Sequence, residues 1–430
     1  MKKLTAKQAS DAFALAMVTV FLLAFGPKGY LNICEWKWAV FCILTGLYAA
    51  VLLYLRIRSR TRSALPFSFP QWCMIAYFLF TLLSALCSPW TETALLGAGR
   101  YDGAVTALLY VFLALALSQT AEPGKRLLRV FAAALTVYCL VCFLQLTDRN
   151  PLGLYPEGLL WSGRETEYNG AFLGFTGNAD LSAAVLATGF CVCLSGALTI
   201  REWWLLLPAA SAAAVLLWSG MRGGVLGAAG GMLLTLPGAL RFGRRGKRVY
   251  CLCLIIAAFL LLGLVWLLPL PGTPGELHEL LHGNIADEFG SGRIYIWKNV
   301  LPLVGERPLF GGGADTLGLR AGLAFTKLRP DGSVLRRKID CAHCEYLNVA
   351  VDQGLPALLC LLTGAGGSVL KGRKGSSAAR ILRAGVLAYA VQALTGITMP
   401  ASAAYFWLCW GLLEAENRRC SEKTNQEEII

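Results

Sequence analysis

Apolar positions in this chain run in long unbroken stretches, each closed by a short polar segment. A helix that crosses a bilayer needs roughly 20 mostly apolar residues. Twelve stretches approach that length: residues 11–27, 37–55, 70–88, 103–119, 127–146, 179–199, 203–219, 223–240, 249–269, 346–366, 380–398 and 402–416. The pattern predicts an all-α polytopic membrane protein of about 12 transmembrane helices. A tight turn at Gly220 separates the seventh stretch from the eighth. No internal repeat or low-complexity tract interrupts the series.

Two polar segments are long, Thr147 to Asn178 and Pro271 to Glu345. Segments of that length usually carry function. The second divides the expected organisation: residues 1–270 with helices 1–9, residues 271–345 as a large, partly helical loop, which the charge pattern and side-chain chemistry given below make the expected extracytoplasmic catalytic loop, residues 346–416 with helices 10–12, and residues 417–430 as a polar tail, expected to be unstructured and cytoplasmic. Within the loop, Ile294, Trp297, Val300 and Leu301 recur at helical spacing and predict an amphipathic helix on the membrane surface. Pro308 and Gly311-Gly312-Gly313 stop it. Asp331-Gly332, between Leu328 and Val334, predicts a hairpin turn.

Composition agrees with lipid as the main solvent. The chain is 56% hydrophobic and 15% charged, where soluble domains are about a quarter charged; its mean hydropathy is +0.57. The first apolar stretch follows Lys2, Lys3 and Lys7 with no small-residue cleavage site behind it, so it reads as a first helix or signal anchor. A net charge of +13 raises nucleic acid as a partner, but its distribution argues for none. With the N-terminus in the cytoplasm, most of the 39 Lys and Arg fall in alternate short segments, as the positive-inside rule requires. Both termini are therefore expected in the cytoplasm, and the large loop outside. The 15 cysteines lie mostly within apolar stretches, where they act as small apolar residues.

Four polar side chains gather on the outer side of this topology. Arg100 opens the fourth helix, Arg222 sits in the turn after Ser219-Gly220-Met221, Arg293 precedes Trp297, and His343 stands where the large loop returns to the membrane. Several guanidinium groups at one interface suit a phosphate, because they donate paired hydrogen bonds and keep their charge. A histidine can take a proton at neutral pH. Together they suit transfer from a lipid pyrophosphate to a hydroxyl, with arginines offsetting the charge that grows on the leaving group. Each residue also has a plainer use. Arginines beside membrane helices commonly anchor at the interface, Gly223-Gly224 suits close helix packing, and Trp161 and Trp297 suit an aromatic belt.

Two motifs point toward metal. His278-Glu279-Leu280-Leu281-His282 has the spacing of a zinc-protease helix. Pro274 and Gly283 limit it to about two turns, and the chain has only three histidines, so a short solvated helix is the plainer reading. Cys341 and Cys344 form a Cys-x-x-Cys without further ligands at metal spacing, which suits a local disulfide or two free thiols. No metal or other cofactor is expected. No Asp-x-Asp occurs, which argues against a metal-held nucleotide-sugar donor.

Five segments resemble the O-antigen ligase and polymerase superfamily of bacterial membrane glycosyltransferases. Gly99-Arg100-Tyr101-Asp102-Gly103 resembles its early Arg-x-x-Gly motif, Gly177-Asn178-Ala179-Asp180 its Gly-Asn-Pro-Asn, and Ser219-Gly220-Met221-Arg222-Gly223-Gly224 its Ser-x-x-Arg-Gly-Gly turn. Ser291-Gly292-Arg293 with Trp297, then Pro308-Leu309-Phe310-Gly311-Gly312-Gly313, resembles the run of its large loop. Ala342-His343-Cys344-Glu345-Tyr346-Leu347, followed by Gly354-Leu355, resembles Ala-His-Asn-x-Tyr-Leu…Gly-Leu. Cys344 stands where the family has Asn, and Ala179 and Asp180 alter the second motif.

The resemblance covers roughly residues 95 to 365. It implies transfer of a glycan from undecaprenyl pyrophosphate to an acceptor, as ligase or polymerase, without an obligatory metal. By match, His343, Arg222 and Arg293 would be catalytic, with Arg100, Glu345, Tyr346 and Trp297 at the substrate. Glu345 suits a second base, an orienter of His343, or simply a solvated acid at a helix start. A transporter or flippase is the main alternative, with Asp352 as a rare mid-helix charge. A non-catalytic scaffold and a membrane zinc protease are the others.

Overall fold

The computed structural model describes residues 4–59, 66–162, 170–328, 334–372 and 375–427. Each predicted apolar stretch overlaps a helix. The first part of the chain forms α1 (Ala6–Ala16), continued by a π-helical turn over Met17–Phe21, then α2 (Ile33–Ser59), α3 (Phe69–Leu86), a short α4 (Thr91–Leu96), α5 (Ala104–Thr120) and α6 (Lys125–Leu146). Next come α7 (Ala179–Ile200), α8 (Leu206–Trp218), α9 (Arg222–Ala239) and α10 (Arg244–Leu267). The large loop holds α11 (Thr273–Leu281), α12 (Arg293–Glu306), α13 (Leu317–Arg320) and the strands β1 (Ala324–Leu328) and β2 (Val334–Lys338). The chain closes with α14 (Glu345–Gln353), α15 (Leu355–Lys371), α16 (Ser377–Gln392) and α17 (Pro400–Glu427).

Among the described residues, five helices are long and apolar enough to cross a membrane: Tyr30–Arg58, Phe69–Leu86, Lys125–Leu146, Ala179–Ile200 and Arg244–Leu267. The last of these, α10, has no buried residue. Ile255, Phe259 and Leu267 on it are 53%, 71% and 74% exposed. An apolar surface of that extent is untenable in water, so α10 faces lipid. The protein is a helical integral membrane protein.

The centre is built on small residues. α7 packs against α8, α9 and α16, while α5 lies on α17 and α3 on α15. Gly223, Gly227 and Gly231 recur every fourth residue along one face of α9. A side chain at Gly227 would come within 2.9 Å of the Ala388 carbonyl, and one at Gly231 within 2.6 Å of the Ala388 backbone. Such spacing lets helix backbones meet, and dispersion and packing drive association where lipid supplies no hydrophobic force.

Four sequence expectations are corrected. The tenth apolar stretch is two helices, broken at Gly354 (φ 93°). The polar tail continues as helix to Glu427, because Glu414, Glu416 and Asn417 are buried and have partners: Ser68 and Ser368 bond Glu414, and Ser376 bonds Glu416. The amphipathic helix forms as α12, but its buried positions are Ile296 and Val300, while Leu301 is 59% exposed. That face packs on α14. The strands expected on either side of residues 331–332 do pair antiparallel, with Leu328 opposite Val334, which corrects the all-α class: the fold is helical with one small β element. The turn residues Asp331 and Gly332 lie outside the described residues.

The break at Gly354 places the loop. The Gly312 and Gly313 amides donate to the Val351 and Asp352 carbonyls (3.1 and 2.9 Å), and the Leu355 amide donates to the Pro308 carbonyl (2.8 Å). A Cβ on Gly354 would fall 2.3 Å from the Leu309 carbonyl oxygen, and one on Gly311 would fall 2.4 Å from that of Asp352. We expect Gly354→Ala to lower the thermal midpoint of the purified protein, at a cost of about 1–3 kcal/mol, because it adds a clash to a left-handed conformation. Gly366→Ala, with open space around its site, should leave the midpoint unchanged; an equal fall in both would remove the clash as the cause.

Candidate functional site

Helix ends and loops at one end of the bundle converge on a small polar cavity. Arg100, Asp102, Asp315, Cys341, His343, Glu345, Asn348 and the segment Gly396–Thr398 line it. Three residues singled out from the sequence, Arg100, His343 and Glu345, therefore share one cavity. Asp102, Asp315 and Asn348 had been missed. Asp102 lay within the Gly99–Gly103 motif, but nothing in the spacing marked Asp315 or Asn348.

Local chemistry explains each placement. Arg100 is held by a two-pronged pair with Asp340, Nη2 to Oδ1 at 2.6 Å and Nε to Oδ2 at 3.1 Å. Asp315 accepts from the Ala98 amide at 2.6 Å. Glu345 opens α14, and its amide donates to the Ala393 carbonyl at 2.9 Å, tying the start of α14 to the end of α16. His343 has φ 47°, a left-handed conformation uncommon for a residue other than glycine. The Trp297 indole donates to the Ala342 carbonyl at 2.9 Å, so Trp297 holds the loop that presents His343.

Arg293 lies beside the cavity. Its guanidinium donates to the Gly290 carbonyl at 2.8 Å and the Thr395 carbonyl at 3.0 Å, and its buried Nε has no partner among the described residues. Thr395 leads directly into the Gly396–Thr398 wall. Arg222 is outside the cavity lining: it is exposed at the start of α9. Its neighbour Gly223 packs on Thr395, where a Cβ would be 2.7 Å from the hydroxyl. Tyr346 turns away and donates to the Ala390 carbonyl at 2.6 Å. It lines an apolar groove between α15 and α16, whose wall Glu345 also forms.

Electrostatics set the protonation states. Burial lowers the pKa of His343, and the nearby charges of Arg293 and Arg100 lower it further, against Asp180 and Asp340. Its ring is therefore neutral at pH 7. Burial raises Asp315 to about 6 and Glu345 to about 7, where the Tyr389 and Thr398 hydroxyls oppose the rise. Asp102 is raised by burial and by the charges of Asp315 and Glu345. A neutral imidazole can accept a proton, and the arginines beside it can hold an anion.

The altered Gly177–Asp180 motif is a helix cap. Gly177 is left-handed (φ 67°), and the Asn178 side chain accepts from the Asp180 and Leu181 amides (2.8 and 3.2 Å). Ala fits the position after the cap, and an acid in the first turn suits the helix dipole.

Neither metal motif assembles a centre. The δ nitrogens of His278 and His282 sit 2.8 Å from the Val265 and His278 carbonyl oxygens, and Glu279 accepts from Asn284. Among the described residues, no three metal-binding side chains cluster. Cys341 and Cys344 are free thiols.

The fold and the site define an integral membrane protein whose helix ends enclose a titratable, arginine-flanked cavity. Residues 207–362, about a third of the chain, match the family model described as O-Antigen ligase. The resemblance to the O-antigen ligase and polymerase superfamily is thereby shown over a segment that contains Arg222, Arg293, His343 and Glu345. It points to an enzyme of glycosyltransferase or ligase type. No curated protein matches the chain.

The charges around His343 give a prediction. In an NMR titration of its ring, we expect a pKa below the ordinary 6.5. Arg293→Gln, which removes a cation, should raise it, and Asp180→Asn, which removes an anion, should lower it further. Equal pKa values in all three proteins would remove these side chains from the ring's surroundings.

Proposed function

We propose that the protein transfers a glycan from undecaprenyl pyrophosphate to an acceptor hydroxyl, as ligase or polymerase. The reading includes a twelve-span topology with both termini cytoplasmic, the division of domains given above, and a site on the outer face of the cytoplasmic membrane. The observation that carries it is the convergence of Arg100, His343 and Glu345 in one cavity, with Arg293 at its side. A lipid-linked pyrophosphate presents its charged part at the membrane surface.

In this mechanism the acceptor hydroxyl loses its proton to neutral His343 as its oxygen attacks the sugar carbon. The bond from that carbon to the pyrophosphate oxygen breaks, and the configuration inverts. Arg293 and Arg222 offset the charge left on the pyrophosphate, with Arg222 swinging in from the start of α9. Arg100, already paired to Asp340, orders the wall. Trp297 fixes the loop, and Tyr346 lies toward the apolar part of the donor. No step needs a metal. The transporter reading drew on Asp352, but that carboxylate is paired to Arg320 at 3.0 Å, as a structural charge would be.

The test is transfer from a purified undecaprenyl-pyrophosphate glycan, with wild type, His343→Ala and Arg222→Ala at matched expression. We expect wild-type transfer and a loss of at least about 100-fold in His343→Ala, the scale of one general base. Wild-type rates in both variants would sink the proposed site. The acid limb of the pH–rate profile should lie below 6.5 and survive in Glu345→Gln. A limb near pH 7 that disappears in Glu345→Gln would give the base role to Glu345.

A further inference from the structure

The geometry points to Asn348, Asp352 and Arg320 as positioning residues that hold the His343 backbone in its left-handed conformation. The residue before His343 is gripped from both sides. The Ala342 carbonyl takes the Trp297 bond, and the Ala342 N–H donates to Asn348 Oδ1 at 3.0 Å. Asn348 is itself oriented, because its Nδ2 donates to Asp352 Oδ2 at 3.1 Å. The other Asp352 oxygen accepts from Arg320 Nη2 at 3.0 Å, and the same nitrogen reaches the Val351 carbonyl at 2.9 Å.

The chain of bonds therefore runs from the large loop, through one face of α14, to the residue before His343. Glu345, Asn348 and Asp352 share that face by helical spacing. Both functions of the Asn348 amide are engaged, so turning it over would lose two bonds together. Asp352 lies outside the lining of the polar cavity, and its side chain is 2% exposed; that of Arg320 is 10% exposed. The loop makes room for this pair: a Cβ on Gly312 would lie 2.1 Å from Arg320 Cζ. A buried ion pair is a weak source of stability. Here it fixes the orientation of a neighbouring amide.

The consequence for catalysis rests on the proposed role of His343, but the structural claim does not. With three histidines in the chain, His278→Gln and His282→Gln leave His343 as a single NMR reporter in the purified full-length protein. In that background, Asn348→Leu and the paired Arg320→Met, Asp352→Leu replacement are compared with the parent. The paired change removes both buried charges together, so we expect its thermal midpoint to stay near that of the parent. Its His343 resonance should shift or split, and kcat for transfer should fall at least about ten-fold with KM within about two-fold. Arg320→Lys, which keeps a donor for Asp352, should restore the parent resonance. An unchanged His343 resonance in both Asn348→Leu and the paired variant overturns the positioning role, whatever the transfer assay reads. A shifted resonance with undiminished transfer supports the positioning role and removes His343 from the chemistry.

Discussion

The structure depends on how the chain pairs its backbone where the helix breaks at Gly354. A break beside the membrane frees carbonyl groups, and lipid offers them no partner. Here the large loop supplies the partners. Gly312 and Gly313 donate to Val351 and Asp352, Arg320 donates to Val351, and Ser84 of α3 donates to Asp352 at 2.6 Å. One set of bonds thus closes the helix end, docks the loop and fixes α14, which carries Glu345 and the support for His343. The glycine run 311–313 is required because side chains there would meet Asp352, Arg320 and Ser88 at 2.1–2.5 Å.

Charge in the apolar body follows the same logic. Buried ions survive where hydrogen bonds satisfy them. Lys37 is buried, and its ammonium donates to the Phe21 and Leu22 carbonyls at 2.5 and 3.0 Å, at the end of the π-helical turn. Arg320 and Asp352 pair with each other at 3.0 Å. Glu345 differs, because it is buried with the Tyr389 and Thr398 hydroxyls facing its carboxyl, and it forms a wall of both the polar cavity and the apolar groove.

Much of this was legible in the sequence, and the failures have physical causes. Apolar length located the helices, because lipid imposes one requirement on every spanning segment. It missed the break at 354, because the polar pair Asp352-Gln353 is too short to interrupt an apolar stretch. The spacing of Ile294, Trp297, Val300 and Leu301 found α12 and its buried Val300, but it included exposed Leu301 and passed over Ile296, because packing on α14 selects the face. Charge pattern picked out Arg100, Arg293, His343 and Glu345. It passed over Asp102 and Asp315, whose distance along the chain from His343 hides their closeness in space, and over Asn348, an uncharged residue that no charge pattern marks.

The sequence by itself determined a helical membrane protein, a polar loop between its ninth and tenth apolar stretches, and the residue types suited to a phosphate-bearing substrate. These follow from the solvent of each segment and the chemistry of each side chain, and both are local. Only the tertiary structure decided which polar groups meet. It brought Arg100 and Asp315 to His343, left Arg222 at the surface, and turned Asp352 from an isolated charge into half of a pair. Those outcomes rest on contacts between distant segments, fixed by how glycine faces and helix breaks let backbones approach.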